Sequence, residues 1–132
     1  MQQFSLKTER RTQLVQITEQ VQEALGEKDG ASAALVYVPH TTAGVTINEH
    51  IDPELLVDLE SALEKIVSDE WKWRHEDADG PNGPSHARAS LISPQVLVPL
   101  RDGELALGTY QGIFFCEFDG PRSRSVHITV LS

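Results

Sequence analysis

Seven short segments with a high propensity for extended structure constrain the fold of this 132-residue chain more than any other feature. They are rich in β-branched, aromatic and aliphatic residues, and turn-forming residues separate each segment from the next. The segments are QFSLKTE, AALVYV, AGVTINE, VLVPL, ELALG, IFFCEF and SVHITVL. This pattern predicts a fold dominated by short, mostly antiparallel strands.

Two further segments have the spacing of amphipathic helices that could cover a sheet. The clearer one follows Asp52, which can cap it; Pro53 suits the first helical position, and apolar residues recur as far as Ile66. The other runs from Leu14 to Leu25. We therefore expect a single compact α+β domain, with a mostly antiparallel β-sheet of about seven strands and two or three helices packed on it.

Turn chemistry suggests how the later strands connect. Asp102-Gly103 accommodates the positive φ angles of a tight hairpin, so VLVPL and ELALG are expected to pair. IFFCEF and SVHITVL are expected to form a second antiparallel hairpin around the loop from Asp119 to Arg124. Pro99 cannot donate to a strand ladder, which places its strand at an edge or a bulge that a neighbouring subunit could cover.

Composition excludes several classes of function. The formal net charge of −9 argues against binding to nucleic acids or acidic membranes, which usually requires a clustered basic patch. No apolar run approaches the roughly 20 residues of a membrane-spanning helix, and MQQFSLKTER lacks the apolar core of a signal peptide. We therefore expect a cytoplasmic protein. Cys116, the only cysteine, lies within GIFFCEF and is predicted to be a buried structural thiol.

Polar residues alternate with apolar ones along the segment that begins at His40. In an extended chain, one face would carry a polar stripe: His40, Thr42, Gly44, Thr46 and Asn48. Such a stripe could contact a polar ligand, and Gly44 would allow the ligand to approach closely. A solvent-facing strand surface is the alternative interpretation, because threonine is an ordinary strand residue.

The segment HEDADGPNGPSHAR is a second concentration of polar residues. His75 and His86 bracket it, and its glycines and prolines favour an irregular backbone. Imidazole is a common metal ligand and general base, and neighbouring carboxylates could hold Mg²⁺. His40, His75 and His86 could therefore form an open three-histidine metal site, although their spacing does not require one. A solvated turn with incidental histidines is the alternative interpretation.

Charged residues near the C-terminal strands add further candidates. Glu117 lies among apolar residues, where a carboxylate is costly unless it is paired or functional. Arg122 and Arg124 lie in a predicted turn and could bind phosphate bidentately, or they could form an exposed hairpin tip. Arg88 is another phosphate-binding candidate, but a helix in this region would turn it roughly 200° away from His86, so contact with a second subunit is the alternative.

Four ordered motifs closely resemble the YjbQ family over nearly the whole chain. They are PHTTAGVTINEHIDP, W-x-H, PSHARASL and LGTYQGIFFCEFDGPRSR. Members of that family are known as secondary thiamine-phosphate synthases that have a compact α+β fold and assemble as homotrimers, and the resemblance implies both properties here. It also implies that the site includes His40, Thr41, Thr42, Asn48, Glu49, His75, His86, Gln111, Glu117 and Arg122.

Residue chemistry and resemblance together assign three groups of candidate site residues. The catalytic candidates are His40, Asn48, Glu49, His86 and Glu117. The candidates for binding substrate or phosphate are Thr41, Thr42, Thr46, Ser85, Arg88, Gln111 and Arg122. The metal candidates are His40, His75 and His86, with a divalent ion, Mg²⁺ or Zn²⁺, as the expected cofactor.

The reaction implied by the resemblance joins a hydroxymethylpyrimidine diphosphate to a thiazole phosphate and releases diphosphate. A small phosphorylated metabolite is therefore the expected ligand. The departing diphosphate needs charge neutralisation, for which Glu49, Asp77, Asp79 and Arg122 are candidates, either directly or through a cation. Two alternatives are a metal-dependent hydrolase or phosphatase acting on such a metabolite, and a non-catalytic trimeric protein that binds one.

Overall fold

A computed structural model describes residues 1–26, 29–78 and 80–132. Within these residues the chain forms eight strands and three helices. In chain order they are β1 (Gln2–Lys7), β2 (Gln13–Gln16), α1 (Thr18–Leu25), β3 (Ala33–Tyr37), β4 (Ala43–Glu49), α2 (Pro53–Lys65), α3 (Gly83–Ile92), β5 (Gln95–Arg101), β6 (Glu104–Leu105), β7 (Gln111–Glu117) and β8 (Ser123–Leu131). The predicted α+β class is confirmed.

The strands form two antiparallel sheets. The larger sheet has the order β1-β8-β3-β5-β6, and the smaller has the order β2-β7-β4. The main core lies between them and includes apolar residues of α1, such as Val21 and Leu25. A second apolar cluster lies on the other side of the smaller sheet, where Leu59 of α2 and Ala89 of α3 pack near Phe114 and Cys116. The smaller sheet is therefore covered on both faces.

Two sequence-based predictions about individual elements are wrong. The helix predicted from Leu14 to Leu25 begins only at Thr18, because Gln13–Gln16 forms strand β2 and pairs with β7. The apolar residues before Thr18 have a spacing that is compatible with a helix, but Leu14 packs in the second cluster and Ile17 packs in the main core. This arrangement fits a strand with a core on each face.

The predicted hairpin of the last two strands is also absent from the described residues. β7 lies in the smaller sheet and β8 in the larger one, so their connection carries the chain from one sheet to the other. The hairpin between β5 and β6 does form: Asp102 and Gly103 have φ angles of 52° and 79°, in agreement with the turn chemistry of Asp-Gly.

The side of β4 that carries Gly44 is covered by α3. A Cβ atom added to Gly44 would lie 2.7 Å from the carbonyl oxygen of Ser93 and 3.1 Å from Cγ2 of Ile92. Gly44 thus allows the end of α3 to approach the strand, and the prediction that a ligand approaches it is wrong.

Cys116 is fully buried in the second cluster, as predicted. Burial raises the pKa of its thiol to about 12, so the thiolate is strongly disfavoured. No helix within residues 1–26, 29–78 and 80–132 is both long enough and apolar enough to span a bilayer.

The larger sheet carries apolar side chains on the face that points away from the core. We call this the outer sheet face; its large apolar residues are Leu35, Tyr37, Leu97, Pro99 and Leu131, and the polar residues Gln95, His127 and Thr129 share the face with them. Leu97 is 60% exposed and Leu131 is 41% exposed. Exposed apolar side chains grouped on one sheet face are typical of an interaction site.

We expect Gly44→Ala to lower the free energy of unfolding by about 1–3 kcal/mol, because the added methyl group overpacks the contact with a carbonyl oxygen that cannot easily move. The measurement is urea denaturation followed by circular dichroism. Gly108→Ala is the matched control, since its Cβ would first meet the flexible side chain of Gln111 at 3.3 Å. Equal losses in the two variants would contradict this account of the α3–β4 contact.

Candidate functional site

An open cavity of about 460 Å³ lies where β3 and β7 end and where β4 and β8 begin. Antiparallel pairing places the end of β3 beside the start of β8, and the end of β7 beside the start of β4. Residues from the start of α3 complete the wall of the cavity. The cavity is lined by Pro39, His40, Thr41, Thr42, His75, Asp77, Asn82, His86, Asp119, Arg122 and Arg124. The two polar sequence segments thus supply two of its walls, and the β7–β8 connection supplies a third.

Arg124 is nearly buried at the cavity wall and is held by Glu117. Its Nε atom donates to Oε1 of Glu117 at 2.8 Å, and its Nη2 atom donates to Oε2 of the same carboxylate. Nη2 also donates to Oγ1 of Thr42 at 2.9 Å. This bidentate arrangement fixes the plane of the guanidinium group.

Glu117 itself is fully buried and is not among the residues that line the cavity. Besides Arg124, its oxygens accept hydrogen bonds from Oγ1 of Thr8 at 2.7 Å and from the backbone N–H groups of Phe118 and Asp119. The structure therefore corrects the prediction of a catalytic Glu117: the side chain positions Arg124 and does not reach the cavity.

His40 follows β3 and reaches across to the first residues of β8. Its Nε2 atom accepts a hydrogen bond from the backbone N–H of Ser125 at 2.9 Å. Burial lowers the pKa of His40, and the positive charge of Arg124 lowers it further. The favoured form is the neutral ring with its proton on Nδ1, because Nε2 acts as the acceptor. For His40 to bind a metal through Nε2, the bond to Ser125 would have to break.

Arg122 lies in a polar cluster on the third wall. Its Nε atom donates to the backbone oxygen of Asp119 at 2.8 Å, and its Nη2 atom donates to Oδ2 of the same residue at 2.7 Å. Oδ2 of Asp77 lies 3.9 Å from Nη2. About a third of the Arg122 side chain remains exposed.

Asn82 lies between the two carboxylates of this cluster. Its Nδ2 atom donates to Oδ2 of Asp119 at 3.1 Å and to Oδ2 of Asp77 at 3.3 Å. Its Oδ1 atom is buried and, among the described residues, has no hydrogen-bond partner. Asp79, which the sequence also suggested for this region, lies outside the described residues.

His75 and His86 meet edge to face at the cavity rim. Their ring centroids are 4.9 Å apart and their planes are inclined by 86°. His86 belongs to the first turn of α3, whereas His75 lies in the segment before that helix. Among the described residues, no three histidine, cysteine, aspartate or glutamate side chains form a group suited to a metal ion.

Several candidates lie at the opposite end of β4. Asn48 is exposed, and Glu49 pairs with Gln111 of β7. Six residue steps separate Ala43 from Glu49, a distance of roughly 20 Å along a strand. Glu49 lines a different cavity of about 340 Å³ near the start of α2. Within one chain, these three residues therefore do not share a site with His40.

Three other candidates do not line the cavity. Thr46 is half-buried in the middle of β4, and Ser85 is fully buried and donates to the backbone oxygen of Phe118 at 2.5 Å. Arg88 is 1% exposed and donates to the carbonyl oxygens of Leu63, Glu64 and Val67 at the end of α2. Its guanidinium group joins α2 to α3, so the prediction that Arg88 binds phosphate is wrong.

The sequence interpretation overlooked Asn82 and Asp119. Asn82 precedes the first residue of α3, and Asp119 is the second residue after β7, with Arg122 three residues later. Polar residues at the ends of elements are often functional, because loops carry binding groups on a rigid scaffold. The positions of these two residues in the sequence are therefore compatible with a functional role, but their contact depends on the tertiary fold.

The two packed antiparallel sheets define an α+β architecture with a polar cavity at the edge where they meet. The chain belongs to the YjbQ-like UPF0047 protein family, whose profile matches residues 2–132. The predicted family is thereby confirmed.

Relatives with similar sequences and structures span almost the whole chain. A UPF0047 protein of Methanocaldococcus jannaschii is 40% identical over 131 residues, which cover 97% of this chain and 91% of the relative. The UPF0047 protein YugU of Bacillus subtilis is 39% identical over 132 residues, covering 97% of this chain and 96% of YugU. A YjbQ/UPF0047 crystal structure from Clostridium acetobutylicum has a TM-score of 0.89 and 39% identity, with 98% of each chain covered. A YbjQ-like protein of unknown function from Sulfolobus solfataricus has a TM-score of 0.87 and 30% identity, covering 98% of this chain and 95% of the other.

We expect His40→Gln to weaken the loss of stability on acidification. The pKa of His40 is lowered in the folded protein, so folding favours the neutral ring. The contribution of His40 to the free energy of unfolding is complete above the pKa of the unfolded state, about 6.5, and it is lost as the pH falls through the lower pKa of the folded state. Glutamine can still accept the N–H of Ser125 but does not titrate.

Urea unfolding across this pH range measures the effect. His50→Gln is the control, because His50 is exposed and lies just beyond the opposite end of β4. If His40→Gln and the unmodified protein lost stability equally on acidification, the inferred role of the neutral imidazole would be refuted.

Proposed function

We propose that the cavity binds phosphorylated metabolites and that the protein has thiamine-phosphate synthase-type activity. The observation that carries this proposal is the convergence of two arginines and three histidines on one cavity: His40, His75, His86, Arg122 and Arg124. The resemblance to secondary thiamine-phosphate synthases suggests the substrates, a hydroxymethylpyrimidine diphosphate and a thiazole phosphate.

Electrostatic preorganisation supports an anionic ligand. Glu117 fixes Arg124 from the buried side, and Asp119 fixes Arg122 from within the loop. Donors that are already oriented do not need to reorganise when charge develops on a leaving group. The lining also includes Asp77 and Asp119, so the two arginines would act on the ligand as oriented hydrogen-bond donors rather than as uncompensated charges.

In the proposed reaction, the lone pair of the thiazole nitrogen attacks the methylene carbon attached to the pyrimidine. A new carbon–nitrogen bond forms, and the carbon–oxygen bond to diphosphate breaks with its electron pair on the departing oxygen. Arg122 and Arg124 would stabilise the resulting negative charge. Neutral His40 would donate from Nδ1 to a phosphate oxygen, since its Nε2 atom is engaged by Ser125.

For the expected divalent ion, the carboxylates of Asp77 and Asp119 are the candidate ligands, because both lie beside Asn82 and Arg122 in one cluster of the described residues. Carboxylate oxygens are among the ligands that Mg²⁺ prefers. Bound there, Mg²⁺ would neutralise part of the diphosphate charge. The chain's own contribution would be to hold these oxygens beside Arg122.

We also propose that the chain forms a homotrimer through the outer sheet face. Leu35, Leu97 and Leu131 present apolar surface on three adjacent strands of the larger sheet. Burial of such surface is favourable by about 25 cal/mol per Å². The resemblance to a trimeric family supplies the expected stoichiometry.

Arg122→Gln should lower the kcat/KM of thiamine phosphate formation by about 100-fold or more, because one donor to the departing charge is lost. The assay contains both substrates and Mg²⁺ and measures thiamine phosphate and diphosphate by chromatography. Arg101→Gln removes the same charge from an exposed position at the far end of β5 and should have little effect.

The same assay separates the alternatives. Release of phosphate or diphosphate from the pyrimidine substrate alone would indicate a hydrolase. Thermal stabilisation by the substrates without turnover would indicate a binding protein. Either result, or unchanged synthase activity in Arg122→Gln, would overturn the proposed reaction.

Leu97→Lys should convert the trimer into monomers, because a charge at the centre of an apolar interface is left unpaired. Leu97 is 60% exposed within one chain, so the substitution should not impair folding. Sedimentation velocity measures the assembly state. Val57→Lys adds the same group at a position on α2 that is 65% exposed and should leave the trimer intact. A trimer that persists in Leu97→Lys would show that this face is not the interface.

A further inference from the structure

A second cavity of about 370 Å³ adjoins the polar cavity and shares His75 and His86 with it. Its other lining residues are Trp73, Gly83, Ala87 and Ser90. None of these four side chains carries a charge. The two cavities therefore differ in chemistry, and a pair of imidazole rings lies at their boundary.

Trp73 is held in place at this second cavity. Its Nε1 atom donates to the backbone oxygen of Ser68 at 2.9 Å, and its ring stacks on Trp71 with centroids 6.0 Å apart. A Cβ atom on Gly83 would lie 2.4 Å from Cε3 and 2.8 Å from Cδ2 of Trp73. The absence of a side chain at Gly83 thus lets the start of α3 lie directly against the indole, which limits its movement.

We propose that this second cavity binds a flat aromatic or heteroaromatic ring whose phosphate group occupies the neighbouring polar cavity. An indole and two imidazoles offer the apolar faces and edges on which such a ring packs, while Ala87 and Ser90 leave space beside them. This inference rests on the proposed function, because the phosphate must bind near Arg122 and Arg124. Beyond that function, it assigns the ring of the ligand to the second cavity and its phosphate to the polar cavity, with His75 and His86 between them.

Methyl phosphate and benzyl phosphate provide the test, because they carry the same anionic group and differ by a ring. We expect isothermal titration calorimetry to show roughly tenfold tighter binding of benzyl phosphate, as is typical of one stacked ring. Ala87→Leu fills the second cavity from a helical position and should remove this preference. It should leave the Kd of methyl phosphate nearly unchanged. Ala62→Leu adds the same side chain at an exposed position of α2 and is the matched control.

A fluorescence measurement provides an independent readout of the ring position. The chain has two tryptophans, so Trp71→Phe leaves Trp73 as the sole indole. Benzyl phosphate should change the emission of this variant, whereas methyl phosphate at equal occupancy should not.

The outcomes distinguish this inference from the proposed function. If neither compound binds, the phosphate site is overturned and the ring site with it. If both bind equally well, or if the preference for benzyl phosphate survives Ala87→Leu, the ring site alone is overturned. Selective loss of the ring preference in Ala87→Leu, but not in Ala62→Leu, supports the ring site.

Discussion

The buried ion pair between Glu117 and Arg124 connects the two sheets at the edge where the cavity lies. Glu117 ends β7 in the smaller sheet, and Arg124 belongs to β8 in the larger one. Removing two charges from water costs several kcal/mol each, and only close geometry and additional hydrogen bonds compensate for that cost. Thr8, Thr42 and two backbone N–H groups supply those bonds. Loss of one partner from such a pair typically costs about 3–5 kcal/mol.

This pair also determines which of its two charged groups lines the cavity. The carboxylate is fully buried behind the wall, whereas the guanidinium contributes to the lining. On the neighbouring loop, Asp119 orients Arg122, which lies only three residues later in the sequence. One arginine is thus positioned by the fold as a whole and the other by local structure. A ligand that contacts both would therefore contact the rigid sheets and the connecting loop together.

Local sequence patterns predict part of the secondary structure correctly. The cap and first turn of α2 follow from Asp52 and Pro53, and the structure shows the Asp52 side chain accepting the N–H of Glu54 at 2.9 Å. Strand segments were recognisable because β-branched and aromatic residues are grouped between turns. Strand β2 was missed because four residues beside a helix give too short a pattern to separate the two periods.

Candidate residues near one strand end lie together in the structure, whereas a candidate farther along the same strand lies apart from them. His40 and Thr42 precede β4 and line one cavity, whereas Asn48 belongs to the same alternating stripe but lies at the opposite end of that strand. Alternation specifies a face but not a position along it. Arg88 shows the complementary difficulty, because an arginine that ties two helices together cannot be distinguished by composition from one that binds phosphate.

The hydrogen bond from Ser125 to His40 determines how the pairing of β3 with β8 ends beside the cavity. Tyr37, the last residue of β3, pairs with His127 of β8, and the imidazole of His40 then accepts the next available strand N–H in place of a backbone carbonyl. A side chain thus extends the ladder beyond the end of its own strand. Because the ring accepts this N–H, β8 can continue past the end of its pairing with β3 without leaving the donor of Ser125 unpaired. The chain after Tyr37 is thus able to turn away from β8 towards the start of β4 beside the cavity.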